Sequence, residues 1–128
     1  MAKTIIIRRM AGNSSFVVSV LEQLVGVEAI TTRRMFGGVG IYRYGAMFAI
    51  IADDRLYFKV DGVNKPDYQN AGSVPFVYDK HDKNGEKKLV AMRYWEVPAH
   101  VLEDKDLIFR WMVKAHEAAV KSKNRKAA

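Results

Sequence analysis

The side chains able to do chemistry in this 128-residue chain are few and scattered. Asp53 and Asp54 stand side by side. Adjacent carboxylates could hold a hard cation or share acid–base work. A calcium loop needs several more oxygen ligands at fixed spacing, and none are present, so the simpler role is a tight turn. His81, His100 and His116 are isolated, with no second histidine at metal-ligand spacing. His81 falls in a charged loop and His116 on the outer face of a C-terminal helix, where surface positions are expected. The chain has no cysteine, which excludes disulfides and thiolate metal sites. No nucleophile elbow, zinc motif or kinase motif is present. The expectation is a protein without catalytic residues, cofactor or metal.

Other groups suit binding better. Gly37-Gly38-Val39-Gly40 could cradle a phosphate, but no lysine–serine/threonine pair follows and the next element reads as strand. A bulge or bend in a twisted sheet explains it more simply. Arg33 and Arg34 point to opposite faces if extended. One of them could pin the sheet by pairing with Glu96 or Asp54, and partner contact is the second reading. Tyr94 and Trp95, with Tyr42, Tyr57 and Tyr78, place aromatic area near Arg43, Lys59 and Arg93. Such interleaving can stack bases, or it can anchor a helix or a second subunit. Packing or a homodimer is the favoured reading.

The elements that must position these groups can be read in order. Asn13 and Ser14 offer N-cap oxygens to a helix whose apolar stripe is Phe16, Val17, Val20, Leu21, Leu24 and Val25. Glu22 and Gln23 fall outside the stripe, and Gly26 ends it. Residues 31–42 read as an extended pair or one long strand interrupted by glycines. Turns at Tyr44-Gly45 and Asp53-Asp54 flank the strand Met47–Ala52 and lead to Arg55–Val60. There Leu56 and Phe58 share one face, while Arg55, Tyr57 and Lys59 share a wet one. A short helix over Asn64–Ala71 has Pro66 in its first turn and Gly72 as its stop. Strands Phe76–Tyr78 and Lys88–Met92 enclose a solvated hairpin loop from Asp79 to Lys87. Tyr94–Pro98 then brings the chain out of the sheet. A last helix starts near Asp104, with Leu107, Ile108, Trp111, Met112, Ala115 and Ala119 as its apolar face. The expected fold is two-layer α+β with an antiparallel five-stranded sheet, in the order α-β-β-β-α-β-β-α.

The net charge is +7. Residues 1–9 hold +3 and residues 121–128 hold +4, while residues 10–120 balance fourteen basic against fourteen acidic side chains. A neutral middle lacks the overall field that draws nucleic acid. Lys121, Lys123, Arg125 and Lys126 read as a solvated, partly disordered tail with salt-sensitive, non-specific phosphate affinity. The expected division is a basic leader over 1–12, one domain over 13–120 and a basic tail over 121–128. Met10-Ala11-Gly12 looks like a natural start just before the first helix, and the expectation is that residues 1–9 are an extension. No apolar run is long enough to span a bilayer or serve as a signal peptide. The expected location is cytoplasmic.

The stretch Arg33-Arg34-Met35-Phe36-Gly37-Gly38-Val39-Gly40-Ile41-Tyr42 resembles the opening signature of the TfoX/Sxy family's N-terminal domain. The similarity continues through Met47–Asp61, including Asp53-Asp54, then Ala71–Phe76 and Tyr94-Trp95-Glu96-Val97-Pro98. It covers roughly residues 13–120 in order. The resemblance implies an α+β fold with an antiparallel sheet. It also implies a regulatory role in genes for DNA uptake, as co-activator with a cyclic-AMP receptor protein. Members with that role carry a second, C-terminal domain, and this chain stops where it would begin. The expected function is a non-enzymatic, protein-binding regulatory domain, with homodimerisation possible. Candidate contacts to a partner or nucleic acid are Arg33, Arg34, Arg43, Arg93, Tyr94, Lys123, Arg125 and Lys126.

Overall fold

The computed structural model describes residues 15–35, 37–81 and 83–127. The leader, Asn13, Ser14 and Phe36 lie outside the described residues, as do the side chains of Tyr78, His81 and Lys126. The elements are α1 (Ser15–Gln23), β1 (Ile30–Met35), β2 (Gly38–Arg43), β3 (Ala46–Ala52), β4 (Arg55–Lys59), α2 (Lys65–Asn70), β5 (Pro75–His81), β6 (Lys87–Glu96), α3 (Ala99–Leu102) and α4 (Lys105–Ala127). Fold class and element order agree with expectation. The strand count does not: the described residues form six strands in the order β1-β2-β3-β4-β6-β5, all pairings antiparallel. Residues 31–42 supply two of them, because the chain reverses at Gly37, whose φ of 72° suits glycine.

The next two reversals follow from local chemistry. Tyr44-Gly45 and Asp53-Asp54 all have positive φ. Two-residue hairpins need that backbone hand to match strand twist, and aspartate tolerates it better than most residues. Asp53-Asp54 is thus a turn between β3 and β4. β3 carries a bulge. Ile41 pairs with Ala49 and Tyr42 with Met47, so Phe48 is the extra residue. Phe48 and Ala49 therefore both face the helices, while Met47 and Ile50 turn to the opposite side.

The core lies between the helices and one sheet face. Val17, Val20, Leu21 and Leu24 of the α1 segment meet Val39, Ile41, Phe48, Leu56 and Phe58 from the strands. Ile108, Met112, Ala115 and Ala119 of α4 complete it, at the spacing expected of that stripe. Burying each large side chain there contributes about 1.5–3 kcal/mol. Asp104 caps α4: its Oδ1 accepts N–H groups of Asp106 and Leu107 at 3.0 and 3.1 Å. Pro66 lies in the first turn of α2, and Gly72, with φ 73°, follows its end.

Three local expectations are corrected. Tyr94-Trp95-Glu96 does not leave the sheet but remains in β6, paired with Lys59, Phe58 and Tyr57 of β4. The hairpin loop is shorter than residues 79–87, since pairing runs out to His81 and Lys87. The basic segment from Lys121 is the end of α4, which continues to Ala127. Lysine and arginine are good helix formers, and two of these side chains reach back to the domain. Lys121 Nζ lies 3.7 Å from Asp61 Oδ2, and Lys123 Nζ donates to the Gly45 carbonyl at 3.1 Å.

Candidate functional site

The sheet face opposite the helices is built from alternate strand residues. Register places Arg33 and Met35 of β1, Gly40 and Tyr42 of β2, Met47 and Ile50 of β3, Tyr57 of β4, and Tyr94 of β6 on this side. Ile50, Tyr57 and Tyr94 form a second apolar cluster, joined by Met47, Ala52, Phe76 and Met92. Every member is a strand residue. The expectation of a wet face on β4 is therefore corrected: Tyr57 is only 8% exposed and packs against Phe76 with 4.9 Å between ring centroids. Cross-strand aromatic pairs of this kind bury area that charges alone would leave wet.

Specific contacts order this face. Tyr94 donates its hydroxyl to the Met47 carbonyl at 3.1 Å, and burial pushes its pKa up to about 12. Lys59 Nζ sits 4.9 Å from the Tyr94 ring centroid. Met35 and Met47 both lie over Gly40: a Cβ there would come within 2.9 Å of each sulfur. Gly40 thus makes room for two flexible, polarisable side chains, which adapt to varied surfaces. Arg33 and Arg55 are exposed on the same face. The Glu96 pairing foreseen for Arg33 or Arg34 goes to Arg55, 3.5 Å away, because β4 lies beside β6 and β1 is at the far side of the sheet. As an exposed pair it contributes under about 1 kcal/mol.

The structure separates the other expected contacts. Arg34 is exposed and lies on the helix side of β1. Arg43, at the end of β2, holds its guanidinium 5.5 Å from the Tyr44 ring centroid, with a buried Nε that has no hydrogen-bond partner among the described residues. Arg93 and Arg125 come together at one groove beside Trp95. Trp95 also packs against the main core, and Pro98 precedes α3, its carbonyl accepting from Val101 and Leu102 at 3.0 Å. Residues that the sequence does not single out are Met47, Phe76 and Met92 on the sheet face and Lys65 at the groove. Met92 alternates with Tyr94 along β6, whereas in β3 the bulge masks that signal for Met47.

His116 is not a surface histidine. It is half-buried, and its Nε2–H donates to the Arg43 carbonyl at 3.0 Å, so in the neutral ring the proton sits on Nε2. The Phe48 ring meets it edge-on at 6.4 Å and Tyr44 lies at 6.2 Å. Burial, then the neighbouring Arg43 charge, lowers its pKa below the ordinary 6.5, outweighing the opposing pull of the Arg43 carbonyl and Glu117. In that case the unfolded chain takes up the proton first, so stability falls as pH drops below 6.5 and levels off below the folded-state pKa. His116→Gln should flatten that part of the pH profile in thermal melts between about pH 7 and 5. An unchanged slope would dissociate His116 from acid sensitivity.

Among the described residues no group of three or more His, Asp or Glu is placed to hold a metal ion, and no helix is long and apolar enough to cross a membrane. A comparison with curated proteins gives no match. The family model of the TfoX N-terminal domain, by contrast, matches residues 22–119, from the last two residues of α1 through most of α4. That span takes in the whole sheet, the second apolar cluster and the Asp53-Asp54 turn, and on it the chain belongs to the TfoX N-terminal domain family.

Proposed function

We propose that this domain is a non-enzymatic regulatory module that docks a protein partner on the sheet face opposite its helices. The observation that carries the reading is the second apolar cluster. Strand side chains alone build it, and half-buried methionines and aromatics border exposed Arg33 and Arg55. Interfaces favour aromatic, methionine and arginine side chains in this arrangement. The partner proposed is a transcription regulator of the cyclic-AMP receptor protein type, in keeping with the family. Self-association through the same face is the competing occupant.

Binding to the purified regulator from the same organism tests this, by biolayer interferometry with the full chain. A Kd near the micromolar range is expected. Met47→Lys and Tyr42→Ala should each weaken it by about tenfold or more while the circular dichroism spectrum stays unchanged. No complex, or variants that bind like the parent, would refute the docking face. A dimer in analytical ultracentrifugation that Met47→Lys dissociates would assign the face to a second copy.

Direct nucleic-acid binding through a basic tail is less well supported. Lys121 and Lys123 are engaged with Asp61 and Gly45. Any DNA affinity resting on this helix end should collapse as salt rises to physiological strength.

A further inference from the structure

On the helix side of the sheet, at the seam of β6, α2 and the C-terminal part of α4, lies a groove of about 550 Å³. That size falls within the range of small-molecule sites. Part of its lining is apolar: Pro75 and the Trp95 indole. The rest is basic: Lys65 from α2, Arg93 from β6 and Arg125 from α4.

The charges do not cancel. Asp61 is the carboxylate in the lining, and it is already occupied. Its Oδ1 accepts the N–H groups of Val63 and Asn64 at 2.9 and 3.3 Å, and its Oδ2 faces Lys121 at 3.7 Å. Lys65 Nζ rests 5.6 Å from the Trp95 ring centroid. Neither Arg93 nor Arg125 has a carboxylate partner among the described residues. Both are exposed, so neither is held by burial. Three cations from three elements thus converge on one concavity with an aromatic wall.

We propose that this groove binds a mononucleotide, an inference that goes beyond partner docking and does not depend on it. The phosphate would lie between Arg93 and Arg125, whose planar forks suit its oxygens, with Lys65 adding charge. The base would pack on Trp95 and Pro75. A bare anion would leave that wall unused, and a neutral ring would leave three cations uncompensated. A nucleic-acid strand would require a basic track continuing past the groove, whereas of the next α4 lysines Lys121 is paired with Asp61 at the groove's edge and Lys123 is turned to the Gly45 carbonyl.

Isothermal titration of the full chain at physiological salt tests the site with AMP, ADP, adenosine, inorganic phosphate and a single-stranded deoxythymidine oligonucleotide. Expected is one saturable site for AMP or ADP with Kd below about 1 mM, and adenosine and phosphate each weaker by about tenfold. Arg93→Gln and Arg125→Gln should each weaken AMP by about tenfold, and Lys123→Gln, which faces away, should leave it unchanged. Quenching of Trp95 in a Trp111→Phe chain should track the same curve. The proposal is overturned if no mononucleotide binds at concentrations up to about 5 mM. It is equally overturned if the two arginine variants bind AMP as the parent does, or if the oligonucleotide binds and mononucleotides do not.

Discussion

Gly38→Ala is expected to lower the stability of this domain by about 3 kcal/mol, the upper end of overpacking costs, and the melting temperature by about 10 °C. A Cβ on Gly38 would sit 2.0 Å from the Ile51 carbonyl oxygen and 3.1 Å from its carbon. Both are backbone atoms of the neighbouring strand, so no rotamer change relieves the clash. The β2–β3 ladder must separate at the point where Val39 pairs with Ile51. Two other glycines calibrate the result. At Gly40 the new atom meets only the flexible ends of Met35 and Met47, and the cost should stay near about 1 kcal/mol or below. At Gly62 it meets nothing within 4 Å, and the melt should be nearly unchanged. Thermal melts of the three variants, ranked in that order, would support strand contact as the reason for Gly38. A Gly38→Ala protein melting with the parent would remove it.

Asn64→Ala should cost a similar amount for a different reason. Asn64 is 1% exposed and precedes α2. Its Oδ1 accepts the Asp61 N–H at 2.8 Å, and its Nδ2 donates to the Lys59 carbonyl at 3.0 Å. Alanine strands both backbone groups away from water, and each unsatisfied group costs about 1–3 kcal/mol. Asn64→Asp separates this from simple packing. It keeps the shape and the acceptor but faces a carboxylate to the Lys59 carbonyl. Its protonated form can donate again, so the folded state holds the proton more tightly than the unfolded chain. Stability of this variant should therefore rise as pH falls towards about 4, opposite to most carboxylates. Urea unfolding at neutral and acid pH reads both effects. If the Asn64→Asp variant matched the parent at neutral pH, the amide would not be the clamp.

Much of the fold is legible in the sequence because its determinants are local. Asp53-Asp54, Tyr44-Gly45, Pro66 with Gly72, and Asp104 each specify a turn, stop or cap within a few residues. The alternation of Leu56 and Phe58 also marks the core face of β4 correctly. What the sequence hides is non-local. Tyr94-Trp95-Glu96 followed by Val97-Pro98 reads as an exit, and only the distant pairing with β4 shows otherwise. The bulge at Phe48 hides alternation in β3, and with it Met47's place on the opposite face. His116 lies four residues after Met112, a spacing that already places it beside the buried stripe. The charged residues around it suggest an outward position instead. Arg93 and Arg125 are visible only singly. Their meeting with Lys65 needs three elements brought together from distant parts of the chain.

The sheet order has a consequence for how the molecule assembles. Strands β1 to β4 pair with their neighbours in the chain, and so do β5 and β6. Among the described strands only the β4–β6 seam skips a strand, with α2 and β5 in between. Short closures lose little entropy, whereas this one must bring distant segments together before any contact rewards it. The seam is where Tyr94 completes the second cluster and Trp95 walls the groove. A chain emerging from the ribosome can thus form the first four strands while the proposed groove is still absent and the proposed docking face still lacks Phe76, Met92 and Tyr94. The face is completed at the last closure of the sheet and the groove only once α4 packs beside it, so a half-folded molecule presents neither surface in full.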